Sequence, residues 1–286
     1  MQLKTAAFSA ALLGAAACGG GSMQTSSAGG RLLFSFQDVT GAQWTALAHR
    51  RVFFGHQSVG QNIMDGVAEV LTSHPEIGLK VVESENLAGE PAFYHARVGR
   101  NEYPLEKIGE LVQVADRAFG TGNGVVMVKL CYADAQPGTD ARALFEAYRR
   151  QIETLRARHP GVTVVHFTMP LTVSEGRKEY FKKKFLLRVT DRDRNVVRNR
   201  YNRLLLAYYG GKEPVFDIAR LESTRPDGSR LFFMQGADTV YSLAREYTPD
   251  GGHLNEVARH TMAEQLLIFL ARLSPPAAPG GALRTS

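Results

Sequence analysis

This sequence is poor in cysteine and in long apolar runs, and both shortages narrow the range of possible folds. Only two cysteines, Cys18 and Cys131, occur in 286 residues, so neither a disulfide scaffold nor a zinc-like Cys/His cluster is expected. No apolar run after the first twenty residues is long enough to span a bilayer. With 44% hydrophobic residues and a net charge of only +6, the chain is expected to fold as a globular α/β protein that tolerates an anionic partner without requiring one.

The N-terminus has the pattern of a bacterial secretory leader. Lys4 supplies positive charge, and the apolar run Ala6–Ala17 of small residues ends at Cys18. A cysteine directly after three alanines resembles a lipoprotein signal, which predicts that residues 1–18 are a leader and that Cys18 is lipidated. Such signals prefer leucine where Ala15 stands, so plain secretion and an uncleaved leader stay as alternatives. The leader pattern therefore predicts export to the bacterial cell envelope, in the periplasm or at the outer membrane, or secretion.

Between a Gly/Ser-rich tether at 19–30 and a Pro-rich, disordered tail at 275–286, residues 31–274 are expected to form one domain. Strand-like and helix-like segments alternate along it, which predicts a parallel sheet with helices on both faces. We expect a three-layer α/β/α, flavodoxin-like fold with a central parallel sheet of about five strands in the order 2-1-3-4-5. The predicted strands are 52–54, 79–84, 125–130, 162–169 and 215–219, and the predicted helices are 58–72, 105–119, 140–159, 192–209 and 252–273. Long loops are expected at 85–104 and 221–248.

A strand, a turn and a helix are predicted over residues 51–65, and the turn carries His56, Gln57 and Ser58. In an open α/β sheet, the loop after the carboxyl end of a strand is where ligands bind. A serine at a helix N-terminus lies beside free backbone N–H groups, which can hold an anion. The turn therefore suits a nucleophile with part of an oxyanion hole. The alternative is that Ser58 only caps the helix.

A second informative turn lies near the C-terminus, where two glycines separate Asp250 from His253. Such a turn can bring the carboxylate to the imidazole and so fix the tautomer of the ring. The alternative is that Asp250 caps a helix and His253 is an ordinary surface histidine.

Together these two segments resemble the SGNH (GDSL-like) hydrolase family. Phe54–Gly60 is similar to the first block of that family, and Asp250–Asn255 closely matches its last block. The resemblance implies a flavodoxin-like three-layer fold in which Ser58 is the nucleophile. It also implies that His253 is the general base and then the general acid, with Asp250 orienting its ring.

The resemblance further implies three oxyanion donors: the serine N–H, a glycine N–H after the second strand and an asparagine after the third. Gly99 fits the glycine, unless it only permits a turn. The family's asparagine falls on Ala133, in the segment Cys131–Asp134. Loss of one donor raises the barrier by about 3 kcal/mol. We therefore hypothesise that Asn101, in the neighbouring loop, supplies the missing donor.

The first block departs from the family pattern as well, because His56 and Gln57 stand between Gly55 and Ser58 where the family has Gly-Asp-Ser. Both side chains are candidates for binding the substrate or its oxyanion, and the alternative for His56 is that it only hydrogen-bonds the loop. His56 is also a competing base, ranked second to His253 because only His253 has an adjacent carboxylate.

A densely basic segment covers residues 174–203. An anionic partner such as lipid headgroups, an acidic glycan or nucleic acid would suit it, but interspersed acidic residues favour a solvated face, and nucleic acid is the least favoured partner.

The sequence thus predicts an exported serine ester hydrolase acting on a small-molecule or glycan ester, with deacetylation of an envelope polysaccharide as a subclass. No metal or organic cofactor is implied, no nucleic-acid partner is expected, and membrane contact is expected only through a lipid at Cys18. Two alternatives stay open: an acetyltransferase that uses the same triad, and a glycan-binding module of this fold that has lost turnover.

Overall fold

A computed structural model of the chain describes residues 33–120 and 122–273, together with the backbone of 24–27. The predicted leader with Cys18, most of the predicted tether and the predicted tail at 275–286 lie outside the described residues. The helices in the described ranges are α1 Gly41–Ala48, α2 Ser58–Ser73, α3 Pro104–Ala118, α4 Ala141–Arg158, α5 Arg177–Phe185, α6 Asp191–Tyr209, α7 Ile218–Ser223 and α8 Glu256–Ala271. The strands are β1 Gln24–Ser27, β2 Val52–His56, β3 Val81–Glu83, β4 Phe93–Arg97, β5 Gly124–Val128, β6 Val162–Phe167, β7 Val215–Phe216, β8 Ser229–Gln235 and β9 Asp238–Tyr241.

Six of these strands form a parallel sheet in the order β3-β4-β2-β5-β6-β7. Helices cover both faces of this sheet, so the predicted three-layer α/β/α class is confirmed. Because all six strands are parallel, their carboxyl ends lie along one edge, where the loops after β2, β4 and β5 meet. The strand β2, which leads into Ser58, lies in the middle of the sheet between β4 and β5.

The strand β4 was not predicted, because its residues were assigned to the loop 85–104. It is inserted between the predicted first and second strands, and the predicted order 2-1-3-4-5 holds for the other five. No helix separates β3 from β4, so the alternation that identified the other strands is missing there. His95, in the middle of β4, is buried against another histidine, and such a polar contact across the sheet leaves no signal in hydrophobic periodicity.

Successive residues of the central strands pack on opposite faces of the sheet, as the period of two requires. Phe54 and Met127 join the core under α1, α2 and α8, whereas Phe53 and Val126 join the core under α3, α4 and α6. The helices α2 and α8 approach closely at Gly66, where an added Cβ would lie 2.4 Å from the carbonyl oxygen of Arg259. This contact brings the start of α8, and the Asp250–His253 turn before it, alongside α2.

A second, small antiparallel sheet consists of β1, β8 and β9. The hairpin β8–β9 lies in the segment 221–248, which was predicted to be loop, and α7 begins at Ile218, so the predicted strand 215–219 ends early, at Phe216. The strand β1 pairs with β8, although its residues were predicted to belong to the tether. An edge strand offers unpaired backbone groups to a neighbouring chain whatever its side chains, which is why composition did not reveal this pairing. None of the helices in the described parts of the chain is long and apolar enough to cross a membrane.

Candidate active site

The turn between β2 and α2 has the predicted strand–turn–helix geometry. Gln57 is the N-cap residue of α2, in extended conformation, and Ser58 is the first helical residue. Ser58 is therefore not the N-cap, which removes that alternative. Ser58 is half-buried, and its hydroxyl has no hydrogen-bond partner among the residues that the structure describes. A hydroxyl beside the free N–H groups of a helix N-terminus is suitably placed for nucleophilic chemistry.

Gln57 joins this turn to the loop after β4. Its side-chain Nε2 donates to the carbonyl oxygens of Val98 at 2.9 Å and of Gly99 at 2.7 Å. The two loops at the carboxyl ends of β2 and β4 are thus tied together. The side chain positions the turn that carries Ser58, and the substrate-binding role expected of Gln57 stays a prediction.

His56 lies in the core. It is completely buried, and α2 crosses it so closely that a Cβ on Gly60 would lie 2.2 Å from the His56 Cβ. Its Nδ1 is 3.1 Å from the carbonyl oxygen of Gln57, and its Nε2 is 3.0 Å from Nδ1 of His95. Because a carbonyl only accepts, Nδ1 of His56 carries the proton and Nε2 accepts from His95. Burial lowers the pKa of His56 to about 3.

This geometry corrects the predicted role of His56. Both ring nitrogens are occupied and the ring is closed off from solvent, so the structure places it beneath the Ser58 turn and not where a substrate or a competing base would be. The sequence did not indicate this burial, because His56 follows the apolar part of β2 and was assigned to an exposed turn.

The Asp250–His253 turn holds its two side chains together. Oδ2 of Asp250 lies 2.6 Å from Nδ1 of His253, and Oδ1 accepts the N–H groups of Gly252 and His253, each at 2.9 Å. Burial acts to raise the pKa of the Asp250 carboxyl, but the hydrogen bonds from the His253 side chain and from these two N–H groups outweigh it and hold the pKa well below its usual range. Gly251 has φ = +97°, a conformation that favours glycine.

The start of α8 differs from the prediction in a way that matters for this turn. The helix was expected to begin at residue 252, but it begins at Glu256, and Asn255 caps it by accepting the N–H of Ala258. Asp250 therefore does not cap α8, and its carboxylate is available to orient His253.

One contact joins the two predicted halves of the site. The N–H of Leu254 donates to Oδ1 of Asn62 at 3.2 Å. Asn62 lies four residues after Ser58 on α2, so both side chains are on one face of the helix. The His253 turn is thus held against the Ser58 face of α2, and Asn62, which the sequence did not single out, is the residue that holds it there.

Tyr132 is a further residue that the sequence did not identify. Its hydroxyl is 3.4 Å from Nε2 of His253, and the two rings meet edge to face. Burial and the nearby Asp250 raise the pKa of Tyr132, so its hydroxyl keeps the proton and donates to Nε2. Among the described side chains, Nε2 makes no hydrogen bond to Ser58. Tyr132 lies in the segment Cys131–Asp134, on which the family's asparagine falls. This position was the signal in the sequence that could have identified Tyr132 as a site residue.

A buried ion pair joins the first turn of α3 to the loop after β5. Nζ of Lys107 lies 2.7 Å from Oδ2 of Asp134, and both side chains are fully buried. The same Nζ donates to Oδ1 of Asn101 at 3.1 Å. Asn101 is exposed, and its amide nitrogen has no partner within the described ranges. Its proposed role as an oxyanion donor stays a prediction, and Ala133, one residue before Asp134, offers no side-chain donor.

Gly99 has the backbone conformation that favours glycine, with φ = +55°. Its N–H donates to Oε2 of Glu110 at 2.6 Å. The N–H that was expected to stabilise an oxyanion is therefore occupied in this structure. Glu110 lies two turns into α3, too far along the chain for the sequence to indicate this contact.

A cavity of about 480 Å³ opens beside the Asp250–His253 turn. Two of its three carboxylates have basic partners, because Glu175 pairs with Lys183 at 2.7 Å and Asp191 pairs with Arg194 at 3.1 Å, and the third is Asp250. Arg245 has no acidic partner among the described residues. The cavity is lined by Tyr132, Thr172, Val173, Ser174, Glu175, Gly176, Asp191, Arg245, Asp250, Gly251 and Gly252. It is polar and suits a polar substrate group.

The described residues contain no group of three or more His, Cys, Asp or Glu side chains placed to hold a metal ion. Cys131 is a buried free thiol.

No protein-family model matches the chain, and no curated protein matches it. Solved structures do. The chain is similar to a provisionally named acylhydrolase from Bacteroides fragilis, at 14% identity over 80% of this chain and 93% of that one, with a TM-score of 0.48. It is also similar to a carbohydrate esterase of family 3 from Talaromyces cellulolyticus, at 15% identity over 79% and 100% of the two chains, with a TM-score of 0.47.

A third similar structure is a provisionally named GDSL-like lipase from Parabacteroides merdae, at 10% identity over 78% of this chain and 95% of that one, with a TM-score of 0.38. These names are those of an acylhydrolase, an esterase and a lipase. With TM-scores below 0.5, the function has to be inferred from this chain's own side chains.

Proposed function

We propose that this protein is a serine ester hydrolase in which Ser58 is the nucleophile, His253 the general base and acid, and Asp250 the residue that orients His253. The observation that carries the proposal is the 2.6 Å pair between Asp250 and His253, in a turn that Asn62 holds against the Ser58 face of α2. A serine hydroxyl needs a neighbouring base, since it is otherwise protonated and a poor nucleophile.

The reaction follows from the tautomer that Asp250 selects. Nδ1 of His253 carries a proton directed to Asp250, so Nε2 is the acceptor. As Oγ of Ser58 bonds to the acyl carbon, its proton passes to Nε2. Nε2 then protonates the departing alcohol as the carbon–oxygen bond breaks. Water repeats the sequence on the acyl-enzyme and releases the acid. In this cycle the hydroxyl of Ser58 replaces that of Tyr132 as the donor to Nε2.

Charge on the carbonyl oxygen would be stabilised by the backbone N–H groups at the start of α2, where the helix dipole is positive. The exposed amide of Asn101 is the proposed additional donor, held through its oxygen by Lys107.

The cavity beside the turn is proposed to bind the alcohol part of the ester. Its polar lining and the unpaired guanidinium of Arg245 suit a hydrophilic alcohol such as a glycan better than an acyl chain. Removal of acetyl groups from a polysaccharide is therefore the proposed subclass. Transfer of the acyl group to a second alcohol would use the same residues, and products formed with an added acceptor alcohol distinguish the two.

Two observations favour a second candidate, a glycan-binding module of this fold that lacks turnover. The N–H of Gly99 is occupied by Glu110, and Ala133 stands where the resemblance implies an asparagine. Covalent labelling by a serine-reactive phosphonate distinguishes the candidates, because only an activated serine reacts.

We also propose that the chain is exported and carries a lipid on Cys18, as the leader pattern indicates. Expression of the full chain with a labelled fatty acid should give a labelled protein, and Cys18→Ala should abolish the label. Equal labelling of both would remove Cys18 as the lipidation site.

The decisive test is hydrolysis of p-nitrophenyl acetate by the purified chain and by its Ser58→Ala variant. We expect kcat/KM to fall at least about a thousandfold, because the nucleophile is lost. Ser73→Ala is the matched control, since Ser73 ends the same helix and its hydroxyl bonds, within the described ranges, only the carbonyl oxygen of Glu69. Equal rates for wild type and Ser58→Ala would exclude Ser58 as the nucleophile.

A further inference from the structure

The segment 177–189 combines exposed apolar side chains with positive charge. None of the nine residues of α5 is buried, and the chain after it is also open to solvent. We call residues 181–189 the α5 tip. Phe185 is 88% exposed and Leu187 is 95% exposed. The other large exposed apolar side chains of the tip are Phe181, Leu186 and Val189. Five such side chains within nine residues form an exposed apolar patch, which marks an interaction site.

The backbone at the end of α5 strengthens this interpretation. The N–H of Arg188 bonds the carbonyl oxygen of Lys183, and the N–H of Leu187 bonds that of Lys184, which is the hydrogen-bond pattern of a Schellman motif. That motif usually places glycine where Leu187 stands. Leu187 has φ = +53°, so a strained backbone presents a leucine to solvent. Glycine would relieve the strain and the exposure together, so leucine at this position needs an external partner to stabilise it.

Positive charge surrounds the apolar patch. Residues 177–189 contain six basic residues and one acidic residue. Lys183 is paired with Glu175, and Lys184 lies 3.3 Å from Asp193. Lys178, Lys182 and Arg188 have no acidic partner among the described residues. The partner must therefore accept apolar side chains and carry negative charge at the same surface.

An anionic phospholipid bilayer has both properties. Apolar side chains enter the boundary between headgroups and acyl chains, and lysine and arginine are attracted to anionic headgroups. A second copy of this chain is disfavoured because two α5 tips would bring like charges together. A soluble polyanion offers no apolar phase for Phe185 and Leu187.

We propose that the α5 tip docks this protein onto an anionic phospholipid surface, with Phe181, Phe185 and Leu187 entering the headgroup region. This contact is separate from the lipid predicted at Cys18 and changes the expectation that membrane contact is made only there. Glu175 and Gly176, immediately before α5, line the cavity beside His253, so docking brings that cavity close to the lipid surface. The proposal does not depend on catalytic activity.

A tryptophan at the tip gives a local test that the N-terminal leader does not affect. The chain has one tryptophan, Trp44, which is buried. With the full-length Phe185→Trp variant, we expect vesicles of phosphatidylcholine and phosphatidylglycerol to shift the emission to the blue and brominated acyl chains to quench it. Val257→Trp is the matched control, because Val257 is an exposed apolar residue on α8, and it should show neither effect.

Two results with the Phe185→Trp variant alone would overturn the proposal. One is unchanged emission of Phe185→Trp on vesicles to which the protein has bound. The other is a blue shift that grows with protein concentration without vesicles, since this would indicate a second copy at the tip. Replacing Lys178, Lys182 and Arg188 together by glutamine should weaken tip insertion by about fivefold per charge removed. Undiminished insertion of this glutamine variant into anionic vesicles would show that charge has no part in docking. Equal insertion of the Phe185→Trp tip into purely zwitterionic vesicles would show the same, and either result would overturn the proposal.

Discussion

Two histidines lie near the start of α2, and their surroundings differ in every respect that matters for catalysis. His56 is buried, bonded through both ring nitrogens and kept neutral, with its pKa lowered to about 3. His253 is partly exposed, has a carboxylate on Nδ1 and has its Nε2 3.4 Å from the hydroxyl of Tyr132. Closeness to the serine in sequence favoured His56 as a contributor, but function follows solvent access and the hydrogen-bond partner.

The contrast between the two histidines is tested most directly by removing each imidazole in turn. We expect His253→Ala to lower kcat/KM for p-nitrophenyl acetate by about a thousandfold or more, because no base remains to accept the proton of Ser58. His56→Gln, as the matched variant, should keep kcat/KM within about tenfold of wild type. The His56→Gln substitution should instead lower the free energy of unfolding by about 1 to 3 kcal/mol, because His95 loses its buried hydrogen-bond partner. The reverse pattern of losses would assign the base to His56.

A second variant sharpens the comparison by removing only the charge beside His253. Asp250→Asn keeps the size of the side chain but no longer selects the tautomer with the proton on Nδ1. We expect kcat to fall by about a hundredfold to ten-thousandfold with little change in KM. Asp227→Asn is a suitable control, because Asp227 is an exposed carboxylate bonded only to Ser229. A rate equal to that of wild type would show that Asp250 does not orient the base.

The smallest expected effect concerns pH and stability. The folded-state pKa of His56 is about 3, below the ordinary value of about 6.5. Between these values the unfolded chain binds a proton that the folded chain excludes, so stability is full above about pH 6.5 and is lost as pH falls toward 3. His56 should therefore lower the free energy of unfolding by about 2 kcal/mol between pH 7 and pH 5.

The measurement is urea unfolding of wild type and of His56→Gln at both pH values. The variant should lose less stability than wild type on acidification. Burial lowers the pKa of the neighbouring His95 as well, so the variant keeps part of the dependence. Identical pH dependence in the two proteins would show that His56 is not the buried neutral histidine described here.

The fold class was predictable because its signals are local. The apolar strands β2, β5 and β6 and the amphipathic helices α2, α3 and α4 each have a period that can be read from a few neighbouring residues. The structure confirms all of them. The strand β4 was missed because its polar His95 is satisfied only by His56, which lies 39 residues earlier. The hairpin β8–β9 was also missed, and its segment was predicted to be loop.

The candidate site likewise has local features that were predicted and long-range contacts that were not. The turns that carry Ser58 and Asp250–His253 were identified because each is a short motif with its own chemistry. Their approach to one another was not, since it depends on the contact of Gly66 with Arg259 and on the bond from Leu254 to Asn62. The occupation of the Gly99 N–H by Glu110 is likewise a contact between separate elements.

Local order thus came from the sequence: backbone conformation and burial period depend on near neighbours, and so do the residue types of a turn. Tertiary packing decided which polar groups are free to react. It buried His56 under Gly60, left the hydroxyl of Ser58 without a hydrogen-bond partner among the described residues, exposed Phe185 and Leu187 on the α5 tip, and placed Tyr132 at His253. The reason is physical: access to solvent and the choice of hydrogen-bond partner are properties of elements brought together from distant parts of the chain, and no window of neighbouring residues contains them.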